Sequence, residues 1–271
     1  VTIDGYGAVS SAPPILDNKD PGASSVFEAT ALLREARRQK GLPSADVPAL
    51  CILDPDGDIV RRLRNSGRAK LSDRWPCYHT ELYELTLAGR SAGIVGCAVG
   101  APFAVLVAEE LFACGCRMLV SLTSAGQINA IGDPPYFVVI DRALRDEGTS
   151  YHYAAPGVFA EADPDIVKAA MKALNDKQLR AYVGASWTTD APFRETAEAI
   201  AAARSKNVLA VEMEAAALYT FARARDRKVL CLAHVTNTMA VAGQDFEKGE
   251  ADGTVEALTL LETLAEALPA G

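Results

Sequence analysis

The chain has 271 residues, with 27 Lys+Arg against 35 Asp+Glu, a net charge of -8 and 49% hydrophobic residues. Such a composition excludes a disordered or fibrous chain and leaves room for a large buried core. No basic cluster is long enough to neutralise a row of phosphates, so neither nucleic acid nor an anionic membrane is expected as a partner.

Residues 1–47 read as an extension. A Pro/Gly/Ser-rich lead lacks the basic and apolar blocks of a secretory signal, so a cytoplasmic location is expected. Apolar residues then line one face of a helix from Val26 to Lys40, which Gly41 and Pro43 stop. Residues 48–271 form one further domain. Ala49–Leu53, Ala92–Ala98, Met118–Thr123, Tyr136–Asp141 and Lys228–Val235 read as strands apolar on both faces. Helices are predicted over Pro102–Ala113, after Asp163 with Pro164 in the first turn, and over Glu195–Arg204, Glu214–Arg225 and Gly253–Leu268. This alternation predicts an α/β layered fold. The apolar stretch Ser91–Gly126 is broken by Gly, Pro, Glu and Arg117 too often to span a bilayer.

The six cysteines sit mostly in apolar runs and read as core thiols. Three histidines, His79, His152 and His234, fall in unrelated segments and suggest no metal site. Gly93, Gly96 and Gly100 lie between a strand and a helix, but their spacing fits neither a dinucleotide fingerprint nor a P-loop. Thr123-Ser124-Ala125-Gly126-Gln127 ends a strand, where it serves either as an ordinary turn or as donors to an anion or sugar. Val211–Tyr219, VEMEAAALY, puts Glu212 and Glu214 at a helix start, either as dipole partners or as acceptors for the vicinal hydroxyls of a ribose packed on Met213.

VEMEAAALY, GIVGCAVGAP, AEELFACGCRMLV and TSAG together resemble the nucleoside phosphorylase/nucleosidase family, from about Cys51 to the last helix. The resemblance implies a three-layer α/β fold with a central mixed sheet flanked by helices, and cleavage of a nucleoside N-glycosidic bond. It implies no cofactor and no metal, phosphate or water as acceptor, and a homodimer or an assembly of dimers. By the same resemblance Glu214, Met213 and Glu212 bind the ribose, and Thr123 and Ser124 face the acceptor. Thr188, Asp190, Phe193 and Arg194 would form the base loop, and Asn237 would polarise the leaving base. Developing negative charge on the base calls for a donor there, and Asn at that position is similar to relatives acting on oxo-purines or pyrimidines. His152 falls in a segment similar to a pocket-lining one, and His79 would be offered by a neighbouring subunit.

The departures concern the acceptor. The family's phosphorylases hold phosphate with three arginines, and those positions here are Gly57, Tyr78 and Val120. Asp54, Asp56 and Asp58 crowd the same loop and disfavour a phosphate dianion unless Arg61, Arg62 or Arg74 swings in. Asp58 falls where the nucleosidases carry their water-activating glutamate, although Asp-Pro-Asp-Gly-Asp also reads as a plain turn. Hydrolysis is therefore the expected reaction, with phosphorolysis through a rearranged site, or a non-catalytic nucleoside-binding relative, as alternatives.

Overall fold

The computed structural model describes residues 13–238 and 253–268, the side chains of Asn237 and Thr238 excepted. Helix α1 (Ala29–Lys40) ends at Gly41 in the left-handed conformation. It buries Leu33 and Ala36 in the layer built on α3 (Ala101–Ala113).

The sheet comprises β1 (Leu50–Asp54), β2 (Lys70–Leu71), β3 (Leu82–Leu87), β4 (Arg90–Gly96), β5 (Met118–Gln127), β6 (Tyr136–Asp146), β7 (Phe159–Glu161), β8 (Ala181–Thr189), β9 (Val208–Glu212) and β10 (Lys228–Thr238). β10 pairs with β5 on one side and β6 on the other, while β6, β8 and β9 lead back to β5, so five strands close a ring. From β5 an open wing runs through β1, β4, β3 and β2. Pairings β1–β4, β1–β5, β5–β10, β6–β8 and β8–β9 are parallel, and β3–β4, β5–β9 and β6–β10 antiparallel. The sheet is thus mixed, with helices on both faces, in keeping with the expected three-layer α/β fold.

Alternation along the strands divides the core. Leu53, Val95 and Leu119 face the layer of α1, α3 and α6 (Ala215–Arg225). Their neighbours Ile52, Ile94 and Val120 face the layer of α2 (Asp58–Asn65), α4 (Pro164–Asp176) and α7 (Thr254–Ala267). Since both faces are covered at the centre of the sheet, successive positions such as Leu50–Leu53 and Met118–Val120 are apolar and the runs read as continuous.

Asp163 caps α4 by accepting the Asp165 N–H at 2.9 Å, with Pro164 in the first turn. The sequence pattern does not reveal α2, β2, β3, β7, β8 or β9, and α5 starts at Ala197, two residues later than expected. Five cysteines are buried and free, whereas Cys97 is exposed and has positive φ at the end of β4. Its neighbour Gly57, the residue before α2, has φ +78°, and a Cβ there would meet Cys97 Sγ at 2.5 Å. Only glycine permits that turn and that close approach.

Candidate active site

Strand β9 ends on Glu212, and α6 begins two residues later. The Glu212 carboxylate accepts four hydrogen bonds. One oxygen takes Ser186 Oγ at 2.9 Å and Thr188 Oγ1 at 2.5 Å, and the other takes the N–H groups of Glu214 and Ala215, both at 2.7 Å. Thr188 Oγ1 in turn accepts the Ala216 N–H at 2.9 Å. Glu212 is thereby the N-terminal anchor of α6, satisfying backbone donors that a helix start leaves open.

Glu214 is 1% exposed. Its Oε1 accepts the Gly100 N–H at 2.7 Å, while Oε2 is buried and has no partner among the described residues. Gly100 has φ +89°, and a Cβ built on it would stand 4.0 Å from Met213 Cε, so backbone, methionine and carboxylate converge. Burial first, then the charge of Glu212, raises the Glu214 pKa to about 8. Burial also raises Glu212, against its four hydrogen bonds. One acid of the pair is saturated. The other holds an oxygen in reserve beside an apolar thioether, which is an arrangement able to accept a sugar hydroxyl.

The second end lies where β1, β5 and β10 finish. Asp56 Oδ2 accepts the Ser124 N–H at 2.8 Å. Asp54, Asp56, Thr123, Ser124, His234 and Thr254 line a cavity of about 20 Å³ together with Ile59, Leu122, Gly253 and Ala257. Room for one water is about this size. No Lys or Arg is among these lining residues. Asp54 accepts the Val60 N–H at 2.9 Å, and burial pushes its pKa up to about 7. His234 is held down to about 4 by burial, with Asp56 opposing.

The structure brings together Met213 and Glu214, and separately Thr123 and Ser124 with Asp56. Other expected residues go elsewhere. Asp58 opens α2, ion-paired with Arg61, and it is Asp56 that meets Ser124. Thr188 is hydrogen-bonded to Glu212 and Ala216 and is fully buried. Glu212 likewise has both oxygens engaged by protein donors. Phe193 is 98% exposed on the single turn Pro192–Arg194, and Arg194 is exposed beside it, so neither walls a pocket here. Asp190 accepts the Gly148 N–H at 2.8 Å. With His79 and His152 it lines a different cavity of about 880 Å³ on the outer face of α3.

Asn237 lies on β10 opposite Gly126, after a register shift from Val235, and its side chain is outside the described residues. At the former arginine positions, Val120 fills the core and the Tyr78 hydroxyl donates to Gln39 at 2.9 Å. Arg74 lies 3.5 Å from Glu84. Sequence reading overlooked Ser186 and Gly100 as supports and Asp56 and His234 as site groups. Asp56 and His234 stood in quoted segments, but only the fold reveals which of their neighbours face the cavity. Among the described residues no group of three His, Cys, Asp or Glu is arranged to hold a metal, and no helix is long and apolar enough to cross a membrane.

A strand-end site of this kind, with a carboxylate beside a methionine at a helix start, matches what comparison with known proteins returns. The sequence model of the phosphorylase superfamily matches residues 49–268, and the chain belongs to that family. A guanosine phosphorylase of Halorubrum lacusprofundi is 27% identical over 156 residues, 58% of this chain and 65% of that protein, so the match falls just short of two thirds of its length. A uridine phosphorylase of Thermococcus kodakarensis is 27% identical over 240 residues, covering 78% of this chain and 84% of its own. Among solved structures, uridine phosphorylase from Vibrio fischeri superposes with a TM-score of 0.69 at 23% identity, over 83% of this chain and 95% of that one. Purine nucleoside phosphorylase from Toxoplasma gondii, in complex with immucillin-H, gives 0.71 at 17%, over 82% and 91%. At these identities the two structures speak for the fold alone.

Proposed function

We propose that this chain cleaves the N-glycosidic bond of a nucleoside with an oxo-purine or pyrimidine base, and that water is the acceptor. The observation that carries the cleavage is Glu214, next to Met213 in the chain, one oxygen fixed by Gly100 and the other buried and without a partner among the described residues. A pair of ribose hydroxyls supplies the missing donors. Asn237 donates to the departing base as charge develops on it. The choice of water is supported by the carboxylates of Asp54 and Asp56 at the Thr123–Ser124 end, in a recess of about 20 Å³ lined by no cationic side chain among the described residues. Asp56, rather than Asp58, then takes the proton of the attacking water.

Phosphorolysis is the second reading, because the relatives are named as guanosine and uridine phosphorylases. A panel of nucleosides incubated with and without phosphate separates the two. Free ribose at equal rates in both is expected. Ribose 1-phosphate formed only with phosphate overturns hydrolysis, and calorimetric binding with no product under either condition leaves a nucleoside-binding relative. We also propose a dimer or an assembly of dimers, in which the exposed His79 is offered to a neighbouring copy. Sedimentation of the full chain tests it, a dimer being expected.

A further inference from the structure

His234 is held rigidly in a buried position beside the acidic loop. In the register of β10 it stands beside Ser124 of β5, whose N–H is held by Asp56, and across from Phe137 of β6. Neighbours in a sheet register share a face, so the His234 and Ser124 side chains lie on one side, and Asp56, which holds the Ser124 N–H, lines the same cavity as both. The ring stacks on Phe137 with centroids 4.3 Å apart and planes 23° from parallel, which fixes its plane. The residue is 5% exposed, and Nε2 is buried with no hydrogen-bond partner among the described residues. A buried ring nitrogen left unpaired is costly, and such atoms are normally satisfied by protein or by a bound water. The same ring borders the cavity of about 20 Å³ whose other polar walls include Asp56, Asp54 and Thr254. That volume fits one water, and the walls offer the two to four partners a buried water requires.

We infer that His234 is a catalytic residue: its Nε2 accepts one hydrogen bond from the attacking water while Asp56 accepts the other. This rests on the hydrolytic reading given above. With the proton on Nδ1, Nε2 is an acceptor only, and burial keeps the ring neutral. Two acceptors on one water direct its lone pairs away from both of them. As the oxygen bonds to C1′, the C1′–N bond breaks and its electron pair leaves on the base. One water proton passes to Asp56, and the other stays on the new sugar hydroxyl. The base anion takes a proton from solvent, and Asp56 returns its own to solvent, so the products are ribose and free base.

His234→Phe keeps an aromatic ring against Phe137 and removes the acceptor. The full chain is assayed with and without phosphate, with kcat and KM separated and nucleoside binding measured by calorimetry. Wild type should release ribose without phosphate. The variant should bind nucleoside within about threefold of wild type and lose about 100-fold in kcat, the scale of one acid–base partner. His234→Gln, which restores an acceptor oxygen, should recover part of that loss. Unchanged kcat in His234→Phe overturns the role of His234 while leaving hydrolysis standing. Wild type that forms only ribose 1-phosphate overturns hydrolysis and this role with it. Should the variants misfold, a crystal structure of the wild-type chain decides: a water within hydrogen-bonding distance of both Nε2 and Asp56 supports the assignment, and density without one overturns it.

Discussion

The two acidic ends of the site treat their carboxylates differently. At the head of α6, Glu212 collects four donors and Glu214 collects one at its Oε1, although they stand two residues apart. At the Asp54–Asp58 loop, Asp58 pairs with an exposed arginine on the surface of α2, while Asp56 turns inward to Ser124. At the head of α6 one acid builds the backbone around the site and the other faces it, whereas in the loop one acid faces a surface arginine and the other the cavity. Residue type alone therefore does not distinguish scaffold from chemistry; what matters is how many protein donors each oxygen already has.

The largest effect that could break this division is at Asp56. Asp56→Asn should lower ribose release by about 100-fold or more, whereas Asp58→Asn should stay within about threefold. Equal losses in the two variants, measured as initial rates, would erase the distinction. Next comes Glu214→Gln, for which about a 10-fold loss of ribonucleoside affinity is expected by calorimetry, since an oxygen that accepts from sugar hydroxyls gives way to an amide NH2 that cannot.

The same variant sharpens the comparison through pH. Glu214 has its folded pKa raised from 4.5 to about 8, so its contribution to stability is fully present below about 4.5 and is lost as pH rises through about 8. Glu212 and Asp56 are the charges that act on it, and both push in that direction. Denaturant melts of the ligand-free chain should show Glu214→Gln losing less stability than wild type between pH 5 and 9, and parallel curves would refute the assignment.

Glu212→Ala strands two hydroxyls and two N–H groups, and should cost about 3 kcal/mol or more in urea unfolding. Glu212→Gln, which keeps an acceptor oxygen, should cost less. The smallest effect is at Phe193. With 98% of its surface exposed, Phe193→Ser should alter stability by less than about 0.5 kcal/mol.

Much of the framework was legible before folding. β1, β4, β5, β6 and β10 are buried on both faces and announce themselves as apolar runs, and the Asp163-Pro164 start of α4 carries its own cap chemistry. β8 begins partly exposed and contains Gly184, β9 has only five residues, and α2 is hidden behind a loop of Asp, Pro and Gly. None of these three has a clean period to detect. At the site, Met213 and Glu214 were legible as a sugar-binding pair because the two side-chain chemistries sit next to each other in the chain. The split between Glu212 and Glu214 was not, because the two hydroxyl donors to Glu212 come from residues 26 and 24 positions away and the donor that fixes Glu214 from 114.

What the sequence determined by itself was the layered α/β architecture, the family resemblance and the acidity of both ends, since hydrophobic period and local motifs are short-range properties of the chain. The tertiary structure decided which carboxylates are spent on the backbone, which oxygen is left for a ligand, and that His234 looks onto the cavity beside Asp56. Those are questions of hydrogen-bond satisfaction in a buried space, and a donor's availability depends on strands that meet only when the sheet closes.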